Sequence, residues 1–220
     1  MGRPRTGRKL ETTRRVTRSV WPFFRARWRA REDNTVALPK PMVGAPITAT
    51  GGVAAGPIGS DLPADATSSL PSGIVALGLV GDEGVSLTRE RSTDDIRAWG
   101  GQIARTVQTE FSETATLQFL ESDKAEVLKE VYGENNVSIT GGNIAITHNE
   151  QTLPSRVFVF DMKDGDKRRR LVLPNAQITA TEDITYVHSD IIRYGVTITA
   201  YADEDGNCAY EYIDATPAGS

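Results

Sequence analysis

Two histidines, one cysteine and several acidic clusters are the side chains from which this 220-residue chain would have to build chemistry. An enzyme needs a nucleophile within reach of a base, a metal cluster or a cofactor loop. His148 and His188 stand alone near separate strand ends, and Cys208 follows an Asp205-Gly206 turn with no base beside it. A small β-strand residue accounts for that cysteine better than a nucleophile does. Asp94-Asp95, Glu182-Asp183 and Asp203-Glu204-Asp205 offer oxygens of the kind that bind calcium. The last resembles half a calcium loop, but no glutamate follows at the twelfth position, and turn chemistry explains it better. Gly51-Gly52-Val53-Ala54-Ala55-Gly56-Pro57-Ile58-Gly59 lacks the Lys-Ser/Thr ending of a phosphate loop, and Pro57 removes a backbone donor. Lys167-Arg168-Arg169-Arg170 is a basic run at a hairpin edge, suited to discouraging wrong pairing or to meeting an acidic patch on a neighbour. No catalytic, cofactor-binding or metal-binding residue is expected, and no cofactor.

Charge is split along the chain. Residues 1–33 hold 11 of the 25 Lys+Arg and three of the 29 Asp+Glu, a charge of +8, which leaves −12 on the remainder. Such a body repels phosphates. The Arg-rich segment, with Trp21, Phe23, Phe24 and Trp28 among its arginines, has the chemistry of a nucleic-acid arm, and its composition also fits a transit peptide. Its lack of apolar period and the abrupt change at Asn34 favour a disordered segment, or one upstream of the natural start. No apolar run reaches the ~18 residues that suggest a membrane span, so no membrane partner is expected.

The elements follow from periodicity. Residues 34–73 are rich in Pro, Gly, Ser and Ala and read as an extended arm with spaced hydrophobes. A folded body is expected over 74–213 and a flexible tail over 214–220. Ile74–Val80 is an apolar β run, Gly81–Gly84 a turn, and Val85, Leu87 and Arg89 share one face of the next strand. Ile103–Phe111 and Thr114–Leu120 read as two strands joined at Ser112-Glu113. A short helix is expected after Ser122 or Asp123, with a capping box to Glu126 and a stop at Gly133. Gly141-Gly142 signals a hairpin between Val137–Thr140 and Asn143–His148. Further strands are Val157–Met162, Arg168–Leu173, Gln177–Thr181 (after a break at Pro174-Asn175), Ile191–Ala202 and Ala209–Ile213. The fold class is therefore mainly β with one short α-helix, a β-sandwich or barrel.

The order of these features resembles one family. Gly81–Gly84, Ser86–Arg91, Trp99–Gly101, Arg105–Glu110, Leu117–Ser122, Ala125–Val131 and Tyr132-Gly133 follow one another as in the major tail tube proteins of long-tailed, siphovirus-type bacteriophages, particularly those of actinobacterial hosts. The later segments RVFVFDM, LVLPNAQIT and YGVTITAY are also similar, so the resemblance runs from Val36 to Ile213. It implies a structural virion protein of the tail, assembled in the host cytoplasm, and no catalysis. It implies self-association into homohexameric rings stacked into a tube, through which DNA passes during ejection without specific binding. A tape measure protein, a tail terminator and baseplate or tip proteins are the implied partners. Within that picture Trp99, Gly100 and Gly101 are the candidate inter-subunit loop. Ser86, Thr88, Glu90, Thr106, Gln108 and Glu110 are the candidate lumen-facing residues, on the non-core face of a hairpin built from Val85–Arg91 and Ile103–Phe111. The alternatives are another virion β protein, such as a head-decoration or sheath-like component, and a carbohydrate-binding β-sandwich using Trp99.

Overall fold

Alternating apolar residues build the sheet. In a computed structural model, which describes residues 41–47 and 51–214, the strands are β1 (Val53–Pro57), β2 (Val75–Gly78), β3 (Ser86–Arg97), β4 (Ile103–Phe119), β5 (Val137–Thr140), β6 (Asn143–Ile146), β7 (Arg156–Asp164), β8 (Lys167–Thr181), β9 (Tyr194–Ala200) and β10 (Tyr210–Asp214). Among the described residues one α-helix, α1 (Ala125–Tyr132), stands with them. The Arg-rich segment 1–33, residues 34–40 and 48–50 of the expected arm, and residues 215–220 of the tail lie outside the described residues.

The main sheet has the order β2-β1-β7-β8-β9-β4-β3, with β10 also on β8, and every pairing is antiparallel. β8 organises it. One edge pairs with β7, and the other is divided between β10 at Arg168–Val172 and β9 at Ala176–Thr181. The sheet does not close into a barrel. It does curl, because Val80 bridges Phe119 and the Leu120 N–H donates to the Leu79 carbonyl, joining the chain after β2 to the far end of β4.

Period-2 alternation puts Ala115, Leu117 and Phe119 of β4 and Tyr194, Val196, Ile198 and Ala200 of β9 into one core, with Phe158, Phe160, Leu171 and Leu173 from β7 and β8. Val127, Leu128 and Val131 of α1 seal it. The alternate residues Ala54, Val157, Val159 and Val172 form a second core on the opposite face. The centre of the sheet is thus covered on both sides, which explains the unbroken apolar runs there.

Several boundaries differ from the sequence reading. β1 lies inside the stretch assigned to the arm, and Val53, Ala54 and Ala55 are buried. Small residues suit it because both its faces are packed. Residues 45–47 continue along the same edge of β7: the Lys163 N–H donates to the Ala45 carbonyl and the Ile47 N–H to the Asp161 carbonyl. Ser112-Glu113 is no turn; β4 runs unbroken through it, because Glu113 is buried beneath Arg89. Pro174 does not break β8; it sits at an irregularity in the β7 pairing, where a missing N–H is tolerated. The helix begins at Ala125 behind Lys124 with no side-chain cap, so the expected capping box does not form. It does stop at Gly133, whose φ of 94° is open to glycine and whose N–H donates to the Lys129 carbonyl. Gly141 and Gly142, at φ 58° and 84°, turn the β5–β6 hairpin as expected.

Two members of the basic run, Arg169 and Arg170, are held within their own chain. Arg169 Nε reaches Glu211 Oε1 at 2.6 Å. Arg170 and Asp161 form a buried bidentate pair, and Arg170 Nη1 donates to the carbonyls of Asp65 and Ser68, each at 2.9 Å. Removing one member of a buried pair strands the other charge. Asp161→Ala should therefore cost about 3–5 kcal/mol in urea unfolding, and an apolar replacement of both partners much less.

Before β10, Asp203 Oδ1 accepts from the backbone N–H groups of Asp205 (3.0 Å) and Asn207 (2.9 Å), and Oδ2 from the Tyr210 hydroxyl (2.6 Å). The Tyr210 bond, then the backbone donors, hold this carboxyl below its usual value of 3.8. Its stabilisation is complete above that value and fades as pH falls towards the depressed one. Carboxyl NMR titration should place the Asp203 midpoint below 3.8, and Asp203→Asn should weaken the turn at neutral pH.

Candidate functional site

The groups that suggested chemistry lie apart. His148 packs on the Tyr132 ring with centroids 4.8 Å apart, and His188 sits in an exposed loop. Burial pushes the Tyr132 hydroxyl up to about 12. Burial first, then Glu113 and Asp203, raise the Cys208 thiol, which disfavours a thiolate. Among the described residues no three His, Cys, Asp or Glu side chains group as a metal site, and no helix is long and apolar enough to cross a membrane.

What dominates instead is a hairpin that leaves the body. β3 and β4 pair from Ser86↔Thr116 to Arg97↔Ile103. β9 supports β4 only from Glu113 to Phe119. Beyond that point both arms are exposed or half-buried, and among the described residues neither has a second strand beside it. β3 continues to Arg97, leaving 98–102 as the turn. The Gly101 N–H donates to the Ala98 carbonyl and the Ala98 N–H to the Gln102 carbonyl, each at 2.8 Å. Of the two glycines only Gly101 takes a positive φ, 83°. Trp99 is fully exposed at the tip, and Ile96 and Ile103, exposed by 55% and 54%, flank it.

The two faces of the hairpin differ. Residues directly opposite in the register share a face. One face continues the core face: beyond Leu87 and Ala115 come Arg89, Glu113, Arg91 and Phe111. Arg89 Nε donates to Glu113 at 3.1 Å, and the Arg91 guanidinium lies 4.8 Å over the Phe111 ring. The other face carries Ser86, Thr88, Glu90 and Ser92 against Thr116, Thr114, Ser112 and Glu110.

The six residues expected on one non-core face are divided between both. Ser86, Thr88, Glu90 and Glu110 share the hydroxyl and acid face, while Thr106 and Gln108 lie on the opposite one. The cause is a bulge: Ser92 pairs with Glu110 but Thr93 with Gln108, so Thr109 is an extra residue that reverses the alternation of β4. Two hydrogen bonds fix the result. Arg91 Nη1 donates to Gln108 Oε1 at 3.1 Å, and the Thr106 hydroxyl donates to Asp95 Oδ1 at 2.7 Å. Val107 and Arg105 take the vacated places opposite Asp94 and Ile96. No composition signal marks this bulge.

With that geometry, the comparison with known families is decisive. The family model described as phage tail tube protein matches residues 44–219. The chain belongs to the phage tail tube protein family. It is a structural component of the phage tail, not an enzyme. No curated protein sequence matches it significantly. Solved structures similar to it include the sheath–tube complex of the extracellular contractile injection system PVC in its extended state, at 14% identity and a TM-score of 0.43, covering 81% of this chain and 95% of that one. The PVC sheath/tube terminator matches at 14% and 0.43, covering 80% and 99%. The anti-feeding prophage cap matches at 12% and 0.40, covering 82% and 99%.

An exposed tip contributes little to the fold of the isolated tail tube chain. Trp99→Ala should change unfolding free energy by under about 0.5 kcal/mol, whereas Phe119→Ala, in the core, should cost about 3–5 kcal/mol. Denaturant melts of the two variants make the comparison.

Proposed function

We propose that the chain is a subunit of the tail tube that closes into hexameric rings, stacked into the conduit for DNA ejection. The observation that carries this reading is the β3–β4 hairpin, with two unpaired edges and no core beneath its outer half. A two-stranded ribbon is marginal in water, and long bare edges invite pairing with another chain. Copies related by a ring axis remove both problems with one sequence. The face with Ser86, Thr88, Glu90, Ser92, Asp94, Ser112 and Glu110 lines the lumen; its carboxylates repel phosphates, and Val107 and Arg105 join that face only towards the tip. Thr106 and Gln108, on the other face, are not lumen residues on this reading. Trp99, with the Gly100-Gly101 turn, contacts a neighbouring subunit. Tape measure, terminator and tip proteins would meet the tube inside and at its ends, and assembly would take place in the host cytoplasm before incorporation into the virion.

Electron microscopy of the concentrated chain tests the reading. Hollow tubes whose end-on averages show six-fold symmetry are expected; a chain that stays monomeric under all assembly conditions, infected cells included, would sink it. Glu90→Lys with Glu110→Lys should leave tubes intact but make them retain DNA, with retention falling steeply as salt rises. Co-sedimentation with duplex DNA at two salt concentrations measures this.

A further inference from the structure

The exposed tip has a counterpart elsewhere on the chain. A groove of about 540 Å³ opens between the strap at 42–46, the Gly81–Gly84 turn and the mouth of the main core. Met42, Pro46, Val85, Phe160, Met162 and Leu171 line it, and Asp82 and Glu83 stand exposed at its rim. It has the size and mixed lining of a binding cleft. The hairpin tip presents the complementary set: a fully exposed indole, two half-exposed isoleucines, and the cations Arg97 and Arg105.

We infer that this groove receives the Trp99 tip of a second copy of the chain. The proposal rests on the tube-subunit reading and names the surface that Trp99 meets. Three observations select a second copy as the occupant. The groove is mainly apolar, with Asp82 and Glu83 at its rim and the Arg169–Glu211 pair beside them. The tip is apolar, with Arg97 paired to Asp95 and Arg105 on the opposite strand, so surface type matches and Arg105 supplies a cation for the acidic rim. Each copy brings one tip and one groove, so every tip finds an acceptor in a repeating assembly. And the tip cannot reach its own groove. Leu87 lines the groove at the base of β3, and Arg97 is ten residues further along a paired strand. At about 3.3 Å per residue, that places the tip roughly 30 Å away.

Photo-crosslinking of assembled tubes tests the inference. Full-length chain carrying p-benzoylphenylalanine in place of Trp99 keeps an aromatic tip, and the excited ketone abstracts hydrogen readily from methionine side chains. Tubes are formed from this chain mixed with isotopically labelled unmodified chain, irradiated and digested. Adducts joining position 99 to Met42 or Met162 of the labelled copy are expected. Tubes whose adducts map to other exposed apolar surfaces, such as Ile139 and Ile144 or Tyr186 and Val187, or that give none, overturn the groove and leave the tube-subunit reading standing. Failure of the unmodified chain to form any tube defeats that reading and the groove with it. If the substituted tip blocks assembly, a charge swap asks the same question with Trp99 in place. Asp82→Lys with Glu83→Lys should slow polymerisation at least tenfold, and adding Arg105→Glu should restore part of the rate. An unchanged rate in the first variant overturns the proposal.

Discussion

A β-ribbon that outruns its own core depends on whatever it meets, and the rest of this molecule is arranged around that dependence. β4 is anchored by β9 and the main core over Glu113–Phe119 and is unsupported from there to its start. Within the unsupported part the two arms hold each other by ladder bonds and by a row of side-chain pairs on one face: Arg89 with Glu113, Arg91 with Phe111 and Gln108, Asp95 with Thr106. Such pairs are individually small. They fix register and twist, which is what a strand needs if another chain is to pair along its edge. The buried Glu113 at the root of this row ties the ribbon to the body, so the ribbon's direction is set by the core.

The division of chemistry between the faces is a matter of register. Without the extra residue at Thr109, Thr106 and Gln108 would join Glu90 and Glu110, and Val107 and Arg105 would lie with Arg91. The bulge instead collects Arg91, Gln108, Asp95 and Thr106 into one hydrogen-bonded face and leaves the other with hydroxyls and carboxylates up to Glu110, and with Val107 and Arg105 beyond it. One residue of backbone thus separates a hydrogen-bonded face from one whose inner half carries hydroxyls and carboxylates.

The parts legible in the sequence were those governed by period. Ala115, Leu117 and Phe119, and Tyr194, Val196, Ile198 and Ala200, announced their shared faces through strict alternation, and Gly133 and Gly141-Gly142 announced backbone turns through their freedom at positive φ. The parts that were not legible depend on tertiary partners. Ser112-Glu113 looks like a turn because nothing local shows that Arg89 covers the carboxylate. Pro174 looks like a break because nothing local shows that its absent donor falls at an irregular pairing. Val53–Pro57 looks like linker because Ala and Gly are chosen there for close packing on both faces. The candidate tip was legible, since an isolated Trp beside Gly-Gly in a polar stretch has no core to enter. Membership of the two faces was not, because a bulge changes no residue type.

A chain that polymerises must avoid satisfying itself first. On the proposed docking, the separation between tip and groove would do this by length: the ribbon holds its apolar end roughly 30 Å from the groove of its own chain. Contacts between different patches of identical subunits are head-to-tail, and such contacts close into a ring or continue as a helix according to the rotation between copies. On the proposed reading, the β3 edge and the apolar tip beyond it would supply two such contacts of different character: edge pairing is directional and would set rotation between neighbours, while the tip in its groove would be set by the reach of the ribbon. On that same reading, rotation would fix how many copies complete a turn and reach would fix how far the next copy lies, so ribbon length and edge register together would specify a tube, while the extra residue Thr109 sets which side chains each face of the ribbon brings to that contact.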